Sequence, residues 1–520
     1  MIFLKRGVSP PFFLPPNPAS DKDRGIMTRT TTATLPEIAE RLRERHSTFY
    51  YKSYSVSPNP IGLRIDFRFT IAPTLDFSPH IVIPISDSST INKLSRDPLV
   101  NRLAFLIGMV ELLSYWKLCC PQQIEIECGE LDPSEVKFWE KLIRKGLGEF
   151  FFTNKISPNL EFSLTSIATR TPNSHKNHER SRIIDNTYLV LVGGGKDSIV
   201  TLELLRRASE RNEKAVNALA LNPIPASIDA IRAAQYPAPL FVQRVLDPKL
   251  RDLNSHGYLN GHTPFSALLA FTTILTAYAN GYRYILASNE ASASEGNILF
   301  DGLEVNHQYS KSYEFERDLR DYISKLELGV DYLSFLRPIN ELQICALFGE
   351  MTQYHSIFRS CNREQTLAAR TKSSDNRAAT PTAARPGWCA NCPKCVFTFL
   401  CLRCFLSQQQ LNQIFGVDPS LQSDFTPIAG ALAGFSEHKP FECVGTYEEV
   451  RACLNHLFEN QKLQLPSSEL STSLQQQIES SAHTTLPELL KRWNKEHFLN
   501  SHLEALLDRA LEPIRQRGLP

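Results

Sequence analysis

This sequence predicts an α/β protein built on a doubly wound parallel sheet, with an N-terminal α+β domain before it and a small helical C-terminal domain after it. Three observations predict it. From Tyr188 onward short apolar runs alternate with helical segments, the rhythm of parallel strands joined by crossover helices. The first of those runs enters three consecutive glycines and then a helix, a setting suited to holding an anion at a helix mouth. Upstream, Leu63, Ile65, Phe67, Phe69 and Ile71 alternate with Arg64, Asp66, Arg68 and Thr70, which gives one apolar face to a half-buried strand of a separate antiparallel unit.

The 520 residues give a prior of roughly three units at ~150 residues per domain. Hydrophobic residues at 42% and charged residues at 21% are those of a folded, water-soluble chain. A net charge of +1 leaves no overall basic field for non-specific binding of nucleic acid, so none is expected as a partner. The longest uncharged apolar run, 265–279, includes three threonines and falls short of the ~20 residues that cross a bilayer. No membrane span is expected. Lys5 and Arg6 interrupt the first apolar patch, which breaks the order of a signal peptide, so a cytoplasmic protein is expected. Residues 1–48 read as a largely disordered extension in which Met27 offers a second start.

The first domain, 49–170, continues with a strand at Ile81, Ile83 and Ile85, a buried helix over 99–118 and a strand near Ile124. Asp132, Pro133 and Glu135 supply the capping oxygen, the first-turn proline and the third-position carboxylate of a helix start. Residues 171–182 contain one apolar side chain, Pro172, and read as a linker. In the sheet domain, 183–406, strands fall at 188–192, 216–221, 240–245 and 284–287. Thr263, Pro264 and Gly281 bracket the helix before the last of these. Residues 362–386 are polar and aperiodic, an insertion that should be mobile. The helical domain, 407–520, holds a short helix after Ser407, a Ser/Gln-rich stretch at 466–481 and a terminal helix near 487–511.

The segment Leu189 to Ser198 runs from strand through Gly193, Gly194 and Gly195 to Lys196, Asp197 and Ser198. Glycines let backbone N–H groups turn toward a phosphate, and the helix end adds positive potential. A Walker loop fails because Val190 stands where its first glycine belongs and Asp197 follows the lysine; a dinucleotide fingerprint fails at Ser198. The segment resembles instead the PP-loop of ATP pyrophosphatases, with Gly193 in place of the usual first serine. That resemblance implies an adenine nucleotide alpha hydrolase-like fold, ATP held by Gly193 to Ser198, and cleavage between its α and β phosphates. Ser288, Asn289 and Glu290 begin a run of small polar residues at the carboxyl end of a strand, where open α/β sheets bind ligands. His307, Tyr309 and Lys311 sit in a similarly polar run.

Twelve cysteines are too few for a disulfide scaffold, yet five fall between Cys389 and Cys404. Cys389, Cys392 and Cys395 form a C-x2-C-x2-C knuckle, for which Cys361 is the preferred fourth ligand over Cys401 and Cys404. Four thiolates suit structural Zn2+, and an iron–sulfur cluster would need the same count. Cys443 lies in a turn beside Lys439, just before the capping box of Thr446 and Glu449, where a depressed pKa would fit an acid/base role.

Several segments together are similar to one family over about residues 49–450. They are Leu112 to Lys117, Gly146 to Phe151, the G-G-G-K-D-S loop, S-N-E-A-S-A-S-E-G-N, C-x2-C-P-K-C and K-P-F-E-C-V-G-T. The family is the UDP-N-acetylmuramoyl-L-alanyl-L-glutamate epimerases (MurL) of peptidoglycan precursor synthesis. The resemblance implies that the terminal L-Glu of a UDP-MurNAc dipeptide is adenylated, epimerised and released with AMP and pyrophosphate, with ATP and Mg2+ required. Lys196, Asp197, His307, Lys311 and Cys443 are the residues expected to carry that chemistry. Two other readings fit parts of the pattern. A 7-cyano-7-deazaguanine synthase-like enzyme would share the loop and the cysteine knuckle, and a nucleotide-binding sensor would need only the loop.

Overall fold

The computed structural model describes residues 34–166, 183–212, 216–361, 387–481 and 484–517. The expected linker at 171–182 and the insertion at 362–386 lie outside them. Eleven strands form one mixed, largely parallel sheet. In chain order they are β1 (Thr48–Asn59), β2 (Gly62–Ile71), β3 (Leu75–Phe77), β4 (His80–Pro84), β5 (Gln123–Ile126), β6 (Ser163–Ser166), β7 (Ile184–Leu191), β8 (Val216–Leu221), β9 (Leu240–Val245) and β10 (Tyr282–Ala287), with β13 (Asp331–Ser334) last. A two-stranded ribbon, β11 (Ile298–Phe300) and β12 (Leu303–Val305), stands apart.

Across the sheet the order is β13-β10-β7-β8-β9-β4-β2-β1-β5-β6, with β3 beside β2. The strands of residues 49–170 thus form one half of the same sheet as the later strands. β4 pairs antiparallel with β9 through Ile81 and Arg244, so the two halves share backbone hydrogen bonds and no boundary of cores falls at 171–182. Strand alternation explains how one sheet serves two cores. Leu189 and Leu191 of β7 face the N-terminal half and the helix Phe265–Asn280, while Tyr188, Val190 and Val192 face the helix Lys196–Asn212 and the C-terminal helices. The last helices complete this second core rather than a core of their own, since Leu486, Leu503 and Leu511 belong to it.

Local signals behave as their chemistry dictates, with some shifts. The helix Pro133–Gly146 starts on Asp132, whose side chain accepts from the N–H groups of Ser134 and Glu135. The helix Phe265–Asn280 starts after Pro264 with no side-chain cap from Thr263, and ends on Gly281 at φ 81°. Residues 35–45, placed in a disordered extension by their sequence, form a capped helix begun by Thr34, Pro36 and Glu37. The Ser/Gln-rich stretch folds as the helix Glu469–Ser480 because Leu474 and Ile478 recur at i, i+4 and are buried. The terminal helix is two helices, Leu486–Lys491 and Ser501–Arg517. The helical run Pro98–Trp116 is long and apolar enough to cross a membrane, but 89% of its apolar window is buried inside the protein.

The parallel strands position the site. The chain moves from β7 outward through β8 and β9, then returns to lay β10 on the other side of β7. Loops leaving the carboxyl ends of β7 and β10 diverge at that reversal, and a crevice opens there in sheets of this kind.

Candidate active site

The β7 turn is closed by its own residues. Gly194 takes φ 86°, and a Cβ there would lie 2.6 Å from the backbone nitrogen of Ser227, so only glycine fits. Ser198 Oγ accepts from Gly194 N–H at 3.2 Å and donates to the Gly195 carbonyl at 2.9 Å, which folds the loop back on the helix mouth. A Cβ on Gly193 would meet nothing within 4 Å, so the space above the turn is open where a ligand would approach.

Lys196 is buried and paired with both Asp197 and Glu341. Burial opposes its charge, but those two carboxylates overcome it and hold the ammonium well above its ordinary pKa. Asp197, Glu290 and Glu341 bring carboxylate oxygens within 4.8 Å of one another. Burial, then the neighbouring Asp197, pushes Glu290 up to about 7. Glu341 moves in the same direction through burial, with Asp197 and Glu290 adding to it. Three converging carboxylates that repel each other are a donor set suited to a hard divalent cation.

Of the three residues expected after β10, Glu290 alone reaches this group. Ser288 donates to Thr201 on the helix behind the loop at 2.8 Å, and Asn289 turns into the sheet to donate to Ser334 at 3.0 Å.

A second group gathers around Cys443. Cys443 is half-buried, and Lys311 Nζ lies 3.1 Å from its sulfur. His307 is bonded through Nδ1 to Glu149, which also faces His262 at 3.4 Å. Burial opposes a charge on His307, but Glu149 and Cys443 outweigh it and push its pKa up to about 10. Burial would raise the Cys443 thiol, yet Lys311 and His307 hold it well below its ordinary value. The cation beside Cys443 is therefore Lys311, which corrects the role expected for Lys439. Lys439 is buried on Glu295 at 3.0 Å. Glu149, His262 and His307 also approach within 4.8 Å, but Glu149 holds His307 protonated, so that ring offers the carboxylate a proton rather than offering a metal a lone pair. Tyr309 is buried and lies beside Phe315.

Lys311 links the two groups, since Cys443 first and then Glu290 and Asp197 favour its charge. Arg337, fully buried, fixes that relation. Its guanidinium donates to the Glu290 carbonyl at 2.6 Å, to the Lys311 carbonyl, and to Glu316 at 3.1 Å. Glu449 does the same from the C-terminal side: it completes the cap at Thr446 while accepting from Ser292 Oγ at 2.8 Å and Glu341 N–H at 2.7 Å. Asn297 accepts from His307 N–H and donates to the Pro440 carbonyl, binding the two polar runs to each other.

Sequence reasoning did not assign Glu149, His262, Arg337 or Glu341. Glu149 lies in the quoted Gly146 to Phe151 segment, but no spacing ties it to His307, 158 residues away.

The four sulfurs of Cys361, Cys389, Cys392 and Cys395 lie within 4.8 Å of one another, all buried. The contacts Cys361 to Cys392 at 4.0 Å and Cys389 to Cys395 at 3.8 Å match the ~3.8 Å between sulfurs around a tetrahedral ion with ~2.3 Å Zn–S bonds. Cys401 and Cys404 turn elsewhere, to Cys453 and to the Leu400 carbonyl.

Two family models match the chain, the MurL N-terminal domain over residues 40–335 and the MurL C-terminal domain over 357–488. The chain belongs to the MurL family. A relative from Micromonospora is 33% identical over 438 residues, covering 81% of this chain and 88% of its own length. One from Salinispora tropica is 32% identical over 431 residues, covering 81% and 86%. A third, from Xanthomonas oryzae pv. oryzae, is 33% identical over 362 residues, covering 68% and 74%. All three are named UDP-N-acetyl-alpha-D-muramoyl-L-alanyl-L-glutamate epimerase, so this chain falls in a family of isomerases. No solved structure matches it. Asp197, Cys443, His307 and Lys311 all lie inside the segments the family models cover.

Proposed function

We propose that the protein is an ATP-dependent epimerase that converts the terminal L-Glu of UDP-MurNAc-L-Ala-L-Glu to D-Glu through an acyl-adenylate, releasing AMP and pyrophosphate. The observation that carries this reading is the position of Lys311, which joins a carboxylate group suited to a nucleotide's cation to a thiol–imidazole group suited to moving a proton. A free carboxylate resists losing its α-proton because the product would gather charge on one centre. Adenylation removes that obstacle.

The open face of Gly193 and the helix mouth at Lys196 would receive the phosphates of ATP. Asp197, Glu290 and Glu341 would hold Mg2+, which neutralises triphosphate charge. Lys196, locked between Asp197 and Glu341, orients those carboxylates and keeps one positive charge at the loop. Lys311, His307 and Cys443 then face the activated glutamyl group. His307, backed by Glu149, and Lys311 are the groups that exchange the α-proton. The four-cysteine set would hold structural Zn2+ and so tie the segment ending at Cys361 to the helix Pro393–Arg403.

The test is turnover of the muramoyl dipeptide nucleotide in deuterated water. Deuterium should enter the glutamate α-carbon only when ATP is present, with AMP and pyrophosphate formed. Asp197→Asn should abolish pyrophosphate release. ADP and phosphate as products, or release driven by a purine precursor instead, would overturn the proposal.

A further inference from the structure

Epimerisation needs proton donors and acceptors on opposite faces of one carbon, and Cys443 is badly placed to be one of them. Lys311 Nζ is 3.1 Å from its sulfur, and His307 is hydrogen-bonded to it. Groups in hydrogen-bond contact are ~3 Å apart, whereas two groups that flank a carbon, each in reach of its proton, need about twice that separation. A substrate carbon does not fit between partners already touching.

The same contacts suit a different role. Thiol, imidazole and carboxylate follow one another as Cys443, His307 and Glu149, the order of an activated nucleophile with its base and the group that orients the base. The thiol is half-buried and so within reach of a ligand, and it closes the turn just before the capped helix Tyr447–Glu459.

We propose that Cys443 is the nucleophile of this site, taking the glutamyl group from the adenylate as a thioester before the α-proton moves. This rests on the adenylation reading above. In the first step the sulfur attacks the carbonyl carbon; an S–C bond forms, the C–O bond to the AMP phosphate breaks, and the electron pair leaves on AMP. No proton moves, because the sulfur is held as a thiolate by Lys311 and His307. Acylation then removes the thiolate, the leading charge that holds the Lys311 proton, so Lys311 gives that proton to solvent and becomes a base, while Glu149 keeps His307 protonated. The Lys311 amine takes the α-proton, the electron pair spreads into the thioester carbonyl, the His307 imidazolium gives its proton to the opposite face, and a solvent proton then restores His307. Water finally attacks the carbonyl carbon; a C–O bond forms, the C–S bond breaks, the thiolate is restored and both water protons pass to solvent. A thioester keeps the α-carbon acidic while resisting water better than an acyl phosphate, which gives the proton time to exchange.

The experiment measures two isotope exchanges on the full chain with ATP and UDP-MurNAc-L-Ala-L-Glu. Labelled pyrophosphate entering ATP reports adenylation. Labelled AMP entering ATP, with unlabelled pyrophosphate present, reports an acyl-enzyme that AMP can attack. Wild type should do both, and acid-quenched protein should carry the acyl mass on the peptide containing Cys443, released by hydroxylamine. Cys443→Ala should keep the pyrophosphate exchange and lose the AMP exchange at least 100-fold. Pyrophosphate exchange without AMP exchange in wild type would overturn the thioester and leave adenylation standing. Neither exchange in wild type would overturn both. If Cys443→Ala loses both exchanges through misfolding, the wild-type AMP exchange and the mass adduct decide.

Discussion

At Cys361, Cys389, Cys392 and Cys395 each sulfur faces other sulfurs, while at Cys443 the sulfur faces an ammonium and an imidazole. Both settings occur in one chain, about fifty residues apart. Four buried thiolates would repel one another, so the first setting favours a cation at its centre and locks a fold around it. The second already carries its compensating charge on Lys311 and His307, so it favours a reactive thiolate. What a cysteine does here is decided by which groups the fold turns toward it.

The comparison breaks first at the metal set, where the largest effect is expected. Cys392→Ser should lose about one zinc per chain by elemental analysis and several kcal/mol of stability, since structural zinc contributes folding free energy directly. Cys361→Ser should do the same, whereas metal retained in full in that variant would move the fourth ligand elsewhere. Freshly purified active protein free of zinc would end the reading of this set as a metal site.

Next comes the cation at Cys443. Lys311→Met removes the leading charge that keeps the thiol deprotonated, so alkylation of Cys443 by iodoacetamide at pH 7 should slow by about tenfold or more. Wild-type alkylation should vary little between pH 6 and 9, roughly the range over which an ordinary thiol titrates. An unchanged rate in Lys311→Met would show that the contact does not set the charge.

These two sets also differ in how far the sequence discloses them. The knuckle Cys389 to Cys395 is legible because its ligands are local, and so is the loop Gly193 to Ser198, where strand, glycines and helix adjoin. The site around Cys443 is assembled from segments more than a hundred residues apart: Glu149 from one half of the sheet, His307 and Lys311 from a polar run, Cys443 from a turn between C-terminal helices. Lys439 is near Cys443 in sequence and was the natural choice for its cation, but the turn sends it to Glu295. Sheet continuity was hidden for the same reason, since the β4 to β9 pairing joins residues 80–82 to 243–245 and leaves no mark on either strand's pattern.

A smaller effect separates orientation from reaction. Glu149 supplies the largest charge holding the His307 proton, so Glu149→Gln should lower the imidazole pKa from about 10 toward its ordinary 6.5. A group raised on folding contributes stability that is fully present below its unfolded pKa and lost as pH rises through the folded one. For His307 that window is 6.5 to about 10, and the variant should show a weaker fall in stability across it. Its alkaline limb of turnover should shift down by about one pH unit or more. An unmoved limb would assign that limb to another group.

The smallest expected effect comes from a third setting, which tests whether contact between sulfurs is enough to make a metal site. Cys401 is fully buried, 3.9 Å from Cys453. It lies on the helix Pro393–Arg403, on the same element as Cys395, yet it points into the apolar core shared with Leu454 and Leu457. The sulfurs of Cys345 and Cys453 touch it, but among the described residues they do not close with it into a set that could hold a metal. Burial would raise its pKa, but hydrogen bonds with Cys345 and Cys453 outweigh burial and lower it, so neighbouring thiols rather than a metal hold it. Cys401→Ala should therefore cost about 1–2 kcal/mol, the loss of a packed sulfur with its contacts to Cys345 and Cys453, with zinc content unchanged. A fall in zinc on that substitution would mean that Cys401 rather than Cys361 completes the set, and the distinction between sulfurs facing one another around a metal and sulfurs merely packed together would have to be redrawn.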